Sequence, residues 1–237
     1  MAQARLLHSP SFRQTLRMRI NAVVLDMDGL MLDTEPLYKT AWQAAAHELG
    51  FRLDDAAYMP LIGRPTHECE TELLSRFGPA FPLSEFRLRW PELWRTAVST
   101  HGIARKQGLD ALLALFKERQ IPVAIATSSD AEHTAHSLRC AGLLGGFTAV
   151  VTGDQVPRGK PAPDIYLEAA RRLSRDPSEC VAIEDSDAGV IAAASAGMTT
   201  LCVPDLKPPS QDAIGAALCV LSSLDDVRNY LSGYWSA

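Results

Sequence analysis

Residues 23–29 read Val-Val-Leu-Asp-Met-Asp-Gly, an apolar run that ends in two carboxylates and a glycine. Such a run predicts a buried strand, and alternation along it brings Asp26 and Asp28 into one pocket while Met27 points elsewhere. Two acids stay ionised together only if a cation or hydrogen-bond donors offset their repulsion, and Mg²⁺ favours carboxylate oxygens. The stretch therefore predicts a strand with a Mg²⁺ site at its end, although Asp-x-Asp-Gly also occurs in ordinary turns.

A second apolar run, at residues 121–126, is followed by Thr127, Ser128 and Ser129 ahead of a helical stretch. Hydroxyl and backbone N–H groups at a strand end beside a helix N-terminus form a site for an anion. The same residue types also suit simple helix capping. The position of these residues at a second strand end favours the anion site.

A lysine and two more acids follow farther along the chain. Lys160 stands between a glycine and a proline just before a helix, so its stiff flanks fix the direction of one positive charge. The apolar run at residues 180–183 ends in Glu184 and Asp185 before another helix. A solvated loop charge and first-turn acids explain each feature singly. Their recurrence at successive strand ends favours one shared site.

This ordered set resembles the haloacid dehalogenase superfamily of phosphohydrolases over about residues 20–205, and within it the β-phosphoglucomutase-like branch with a helical cap. The closer likeness is carried by residues 28–36, 126–129, 159–164 and 183–186. The resemblance implies a Rossmann-like α/β core, a doubly wound parallel sheet, with an inserted all-helical cap. It also implies Mg²⁺ as the cofactor.

The resemblance further implies a role for each motif residue. Asp26 would be the nucleophile, and Asp28 would be the general acid and base, giving the metal its backbone carbonyl. Thr127, Ser128 and Lys160 would hold the phosphoryl group. The implied metal site comprises Asp26, Asp28, Glu184 and Asp185.

Helix and strand signals alternate from about residue 107, which predicts a parallel sheet with helices on both faces. We therefore expect an α/β core at 20–33 and 104–237, and a helical cap at 34–103 lying over the strand ends. The predicted helices are 35–49, 66–77, 84–101 (with a break or kink at Pro91), 108–119, 131–141, 163–174, 188–196 and 225–231. The predicted later strands are 121–127, 147–152, 179–184, 199–203 and 218–221.

Substrate choice is expected to depend on the cap, where Tyr38, Arg64 and His67 are the candidates for substrate contacts. The loop that contains Arg64 resembles the cap loop that reaches the active site in this branch. His133 and His136 lie one helical turn apart, but no cysteine or acid accompanies them in a zinc-binding pattern. We expect both histidines to face solvent.

Two departures from the branch favour a phosphatase over a mutase. Tyr38 stands near the position of a histidine in the mutases, and Asp130 stands where a basic residue is common. We expect a Mg²⁺-dependent phosphatase that hydrolyses a small phosphorylated metabolite, a sugar phosphate or a nucleotide-related compound, through an aspartyl-phosphate. The alternative is a β-phosphoglucomutase-type mutase, and the remote alternatives are a non-catalytic or receiver-type phosphoacceptor protein. Dehalogenases lack the second acid of the pair, so Asp28 argues against that chemistry.

Composition limits the partners. The formal net charge of −5 disfavours binding to nucleic acid or to an anionic membrane. No apolar run approaches the roughly 18 residues of a membrane span. Five scattered cysteines without a C-x-x-C pattern fit reduced thiols in the cytoplasm. We expect a monomer or weak dimer, with residues 1–19 as a basic, disordered N-terminal extension.

Overall fold

A computed structural model describes residues 20–62 and 66–235 of the chain. Its six strands are β1 (Ala22–Leu25), β2 (Val123–Ala126), β3 (Ala149–Val151), β4 (Cys180–Glu184), β5 (Thr199–Cys202) and β6 (Cys219–Val220). They form one sheet in the order β3-β2-β1-β4-β5-β6, and every neighbouring pair is parallel. The chain reverses its direction of travel across the sheet between β1 and β4, which is where ligands bind in open α/β sheets.

Ten α-helices accompany the sheet in the described residues. They are α1 (Glu35–Glu48), α2 (Asp55–Tyr58), α3 (Thr66–Phe77), α4 (Leu83–His101), α5 (Leu109–Glu118), α6 (Ala131–Cys140), α7 (Asp164–Arg172), α8 (Asp187–Ser195), α9 (Gln211–Ala216) and α10 (Leu224–Trp235). Short 3₁₀ turns lie at Met59–Leu61, Gly153–Gln155 and Pro177–Glu179. The predicted doubly wound parallel sheet is confirmed.

Alternation along β1 divides the core between the two faces of the sheet. Val23 and Leu25 belong to a large cluster that also contains Phe116, whereas Val24 belongs to a second cluster with Tyr166. The second cluster is rich in alanine, so the helices on that face approach the sheet closely. All four residues of β1 are fully buried, which holds the start of the Asp26 segment rigidly.

Helices α1 to α4 come between β1 and β2 in the chain and form a third cluster, centred on aromatic rings. The rings of Trp42 and Phe86 meet edge to face with centroids 5.2 Å apart. Trp94 instead belongs to the large cluster on the sheet, so α4 packs on the α/β core as well. Among the helices of the described residues, none combines the length and apolar character needed to cross a bilayer.

Two details differ from the prediction, and a third is not tested. Helix α4 continues through Pro91 without a break, because buried Phe86 and Trp94 anchor it on either side of the proline. Helices α2 and α9 are additional, and their four and six residues are too few to show helical periodicity. The predicted extension at 1–19 lies outside the described residues.

Gly108 tests the packing of α5 against α10. Gly108 has φ +89°, and an added Cβ would lie 2.8 Å from the backbone nitrogen of Asp225. Gly50 has φ +85°, yet a Cβ there meets no atom within 4 Å. We expect Gly50→Ala to lower the free energy of unfolding by about 1–2 kcal/mol through backbone strain alone, and Gly108→Ala to lower it further. Urea denaturation measures both values, and equal losses would contradict the predicted contact.

Candidate active site

The carboxyl ends of three neighbouring strands bring the predicted site residues together. Asp26 follows β1, Thr127 follows β2, and Glu184 is the last residue of β4. Their exposed fractions are 6%, 1% and 0%. These polar groups therefore lie at the bottom of the site, where each needs a partner.

Lys160 supplies the central partner. Its Nζ donates to Asp26 Oδ1 and Glu184 Oε1, both at 2.5 Å, and to the backbone oxygen of Ala126 at 3.0 Å. These contacts use all three donors of the ammonium group, whose side chain is 5% exposed. Burial alone lowers the pKa of Lys160, but the two carboxylates raise it above its ordinary value. The lysine is therefore charged and fixed.

Glu184 is held from every side. Besides the lysine, Tyr166 donates its hydroxyl to Oε1 at 2.6 Å, and the backbone N–H groups of Asp185 and Ser186 and the Ser186 hydroxyl donate to Oε2. Burial raises the pKa of Glu184, but the lysine and these donors hold it below the ordinary value. A Cβ on Gly189 would lie 1.8 Å from Oε1, so this position of α8 requires glycine.

Three acids form a cluster that suits a divalent cation. Carboxylate oxygens of Asp26, Glu184 and Asp185 lie within 4.8 Å of one another. A Cβ on Gly29, where φ is +89°, would lie 2.3 Å from Asp185 Oδ2, so the turn after β1 must be glycine to admit that carboxylate. Because Glu184 already accepts five hydrogen bonds, Asp26 and Asp185 retain the most lone pairs for a metal.

The raised pKa values of the acids in the cluster also favour a bound cation. Burial raises the pKa of Asp26 to about 8, with Glu184 and Asp28 adding to the shift and Lys160 opposing it. Burial, Asp26 and Glu184 also raise the pKa of Asp185 well above its ordinary value. The single positive charge of Lys160 does not neutralise the carboxylates of these acids. Mg²⁺ binds oxygen ligands that carry such excess negative charge. The residues present therefore fit the metal.

Asp28 lies in a different environment. Its Oδ2 accepts from Ser129 Oγ at 2.9 Å and from Thr127 Oγ1 at 3.3 Å. Its Oδ1 is buried and has no hydrogen-bond partner within the described part of the chain. Ser128, predicted beside Thr127 as a phosphate ligand, has an exposed side chain, and Ser129 is the serine that reaches Asp28.

Of the three residues predicted to contact substrate from the cap, the structure describes the side chain of only one, Tyr38. Arg64 and the side chain of His67 lie outside the part of the chain that the structure describes. Tyr38 is half-buried, and its hydroxyl lies 2.7 Å from Nε2 of His133. The predicted substrate contact of Tyr38 thus competes with a contact to the protein itself.

The expectation that His133 and His136 face solvent is wrong. Both are half-buried, and the imidazole of His133 stacks on Trp94 with ring centroids 3.9 Å apart. Helix α4 covers this side of α6, a contact between segments distant in sequence. No pattern of neighbouring residues in the sequence predicts this contact between α4 and α6.

The segment after β5 contributes a further charged group that the sequence analysis missed. Asp205 accepts a hydrogen bond of 2.6 Å from Lys106, which also donates to Asp33 at 3.0 Å. Asp205 raises the pKa of Asp185, so it adds negative charge near the acidic cluster. Lys207, two residues farther along, donates to the backbone oxygen of Ile62. This hydrogen bond joins the segment after β5 to the end of the 3₁₀ turn at Met59–Leu61.

Comparison with known proteins places the chain in a family. Residues 20–197 match the haloacid dehalogenase-like hydrolases, and the chain belongs to that family. A phosphorylated carbohydrates phosphatase of Thermotoga maritima is 35% identical over 76% of this chain and 82% of its own length. A bifunctional riboflavin kinase/FMN phosphatase of Arabidopsis thaliana is 29% identical over 92% of this chain, which spans only 57% of that enzyme.

A solved structure, described as a putative β-phosphoglucomutase from Thermotoga maritima, superposes with a TM-score of 0.77. It is 31% identical and covers 90% of this chain and 99% of its own. The predicted superfamily and the likeness to its β-phosphoglucomutase-like members are therefore confirmed.

The acidic cluster predicts a pH-dependent response to Mg²⁺. Asp26 has a pKa of about 8 in the folded protein against 3.8 as its ordinary value, so the folded chain keeps a proton that the unfolded chain releases. The free energy of unfolding of the metal-free protein then falls as the pH rises through that window. Mg²⁺ binds the ionised carboxylates, so we expect its increase in Tm to be larger at about pH 8 than at about pH 5.

Thermal unfolding with and without excess Mg²⁺ measures this response. Asp185→Asn is expected to remove most of the Mg²⁺-induced increase in Tm. Asp212→Asn, which changes an exposed acid on α9, is the matched control and is expected to keep it. An increase that persists unchanged in Asp185→Asn would contradict the assignment of the cluster.

Proposed function

We propose that the chain is a Mg²⁺-dependent phosphatase that hydrolyses a small phosphorylated metabolite through an aspartyl-phosphate on Asp26. It is a phosphomonoester hydrolase of the haloacid dehalogenase type. The observation that carries the proposal is the buried contact of Lys160 with Asp26, which fixes one carboxylate oxygen next to a site for a cation. The names of the matched phosphatases support the same reaction.

Asp26 acts as the nucleophile in this proposal. Its Oδ1 is held by Lys160, so Oδ2 attacks phosphorus while the ester P–O bond breaks. Phosphoryl transfer depends on positioning and charge neutralisation, which the fixed ammonium group provides. Asp26 and Asp185 would hold the cation, with Glu184 and the backbone carbonyl of Asp28 as further ligands, and the cation would supply charge stabilisation for the phosphoryl oxygens.

Asp28 moves the protons. It gives its proton to the leaving alkoxide in the first step and takes a proton from the attacking water in the second, when the Asp26–phosphorus bond breaks and phosphate is released. The buried Oδ1 supports this role, because it lacks a partner until the leaving oxygen or a water occupies the site.

Thr127, Ser128 and Lys160 are proposed to bind the transferred phosphoryl group. The buried position of Thr127 at the end of β2 and the charge of Lys160 support this assignment. We assign residues 34–103 to a cap over the site, with Tyr38, Arg64 and His67 as its candidate contacts to substrate.

The substrate is proposed to be a phosphorylated carbohydrate or a nucleotide-related compound such as those in the names of the relatives. The net charge of −5 disfavours a nucleic-acid or membrane partner. No disulfide joins the five cysteines, all of which lie in the described residues, and this supports a cytoplasmic location. A monomer or weak dimer stays our expectation.

Asp26→Asn tests the nucleophile. The amide keeps the shape of the side chain but cannot form the acyl phosphate, so we expect turnover to fall by at least about 10³-fold. Phosphate release from p-nitrophenyl phosphate with Mg²⁺ measures it, with circular dichroism to verify the fold. Asp212→Asn is the control, and a retained rate within about tenfold of wild type would remove Asp26 from this role.

A second test distinguishes a phosphatase from a mutase. It is needed because the matched structure from Thermotoga maritima is named as a β-phosphoglucomutase. A mutase must shield its aspartyl-phosphate from water, and Tyr38 stands near the position at which the mutases carry a histidine. We expect glucose 1-phosphate with a trace of the bisphosphate to give free phosphate faster than glucose 6-phosphate. Enzyme-coupled assays follow both products, and isomerisation that outpaces phosphate release would establish the mutase.

A further inference from the structure

The segment after β5 begins beside the acidic cluster. The N–H of Val203 donates to the backbone oxygen of Glu184 at 2.7 Å, so the chain leaves the sheet next to the end of β4. Asp205 follows two residues later. Its Oδ2 lies 3.5 Å from the point that a Cβ on Gly29 would occupy, and Oδ2 of Asp185 lies 2.3 Å from the same point. Both carboxylates therefore approach the turn after β1.

Lys106 holds the other oxygen of the Asp205 carboxylate. Its Nζ donates to Oδ1 of Asp205 at 2.6 Å and to Oδ1 of Asp33 at 3.0 Å. The side chain of Asp205 is 16% exposed, against 42% for Asp33, so solvent screens the pair with Asp205 less. Burial lowers the pKa of Lys106, but its hydrogen bonds to the two carboxylates raise it above the ordinary value, so the ammonium group is charged.

Backbone hydrogen bonds fix the position of Lys106. Its N–H donates to the backbone oxygen of Met31 at 2.9 Å, and the N–H of Asp33 donates to the backbone oxygen of Ala104 at 2.9 Å. The stretches that lead into and out of the helical insertion therefore run side by side at Lys106. The ion pair extends from this place to the acidic cluster.

The two oxygens of Asp205 differ in what they contact. The hydrogen bond that the described residues give to this side chain is made at Oδ1, whereas Oδ2 is the oxygen that approaches Gly29. Mg²⁺ keeps several of its waters when it binds to protein, and acids beyond its direct ligands hold such waters and ligands in place. Oδ2 is available for that task.

We propose that Asp205 is a positioning residue for the cation of the phosphatase, and that Lys106 limits its effect by opposing its charge. This inference rests on the proposed Mg²⁺-dependent function and adds to it a pair of residues outside the four motifs. The carboxylate of Asp205 attracts the cation and accepts hydrogen bonds from its water. The ammonium group of Lys106 repels the cation, so the pair sets the affinity of the site for Mg²⁺.

Opposite changes of charge at the two partners give the test. Asp205→Asn removes the negative charge at nearly constant shape, and we expect it to raise the dissociation constant for Mg²⁺ by about tenfold. Lys106→Met removes the positive charge, and we expect it to lower the constant by at least about threefold. The double variant loses both charges and is expected to lie within about threefold of wild type.

Thermal unfolding of the metal-free protein over a series of MgCl₂ concentrations, at constant ionic strength, gives these constants without any substrate. Asp212→Asn and Lys117→Met are the matched controls, because they change exposed groups on α9 and α5. Both controls are expected to leave the constant unchanged.

A merely structural role predicts weaker binding in both single variants. That result, or an unchanged constant in either variant, overturns the inference and leaves the phosphatase proposal standing. If one variant does not fold, the direction of the change in the other decides. A wild type whose Tm does not respond to Mg²⁺ overturns the proposed Mg²⁺ dependence and this inference together.

Discussion

The rest of the site depends on the ammonium group of Lys160, which is buried between Asp26 and Glu184. A buried charge is tolerated only when its partners meet it at hydrogen-bonding distance, and loss of one partner costs about 3–5 kcal/mol in proteins generally. This requirement extends outward to Tyr166 and Ser186, which complete the shell of Glu184. It also dictates glycine at position 189. One ion cluster thus fixes the ends of β1 and β4 and the start of α8 relative to one another.

The same constraint separates the two acids that stand one residue apart. Asp26 shares its environment with a lysine and two other carboxylates, which suits a group that stays ionised beside a cation. Asp28 shares its environment with the hydroxyls of Thr127 and Ser129 and with no cation among the described residues, and our proposal makes it the general acid and base. In the proposed mechanism, two identical side chains receive different tasks because their neighbours differ, which is the general means by which enzymes assign acid and nucleophile.

The sequence predicts the parts of the structure whose causes are local. Buried parallel strands are continuous apolar runs, so β1, β2 and β4 and the polar residues after them are predicted correctly. Four-residue α2 gives no periodicity and is missed. The choice of Ser129 over Ser128 as the neighbour of Asp28 depends on backbone direction in a turn, which residue type alone does not specify.

Contacts between distant segments are the second class that the sequence does not reveal. The His133–Tyr38 pair joins α6 to α1, and each residue alone resembles an ordinary surface or packing residue. The helical insertion leaves and rejoins the α/β core at one place, where Asp33 donates its N–H to the backbone oxygen of Ala104 at 2.9 Å. Lys160, which contacts Asp26 and Glu184, belongs to the α/β core, as both of its partners do. The contact of His133 with Tyr38 instead crosses from the core to the insertion, so no single segment of the sequence predicts it.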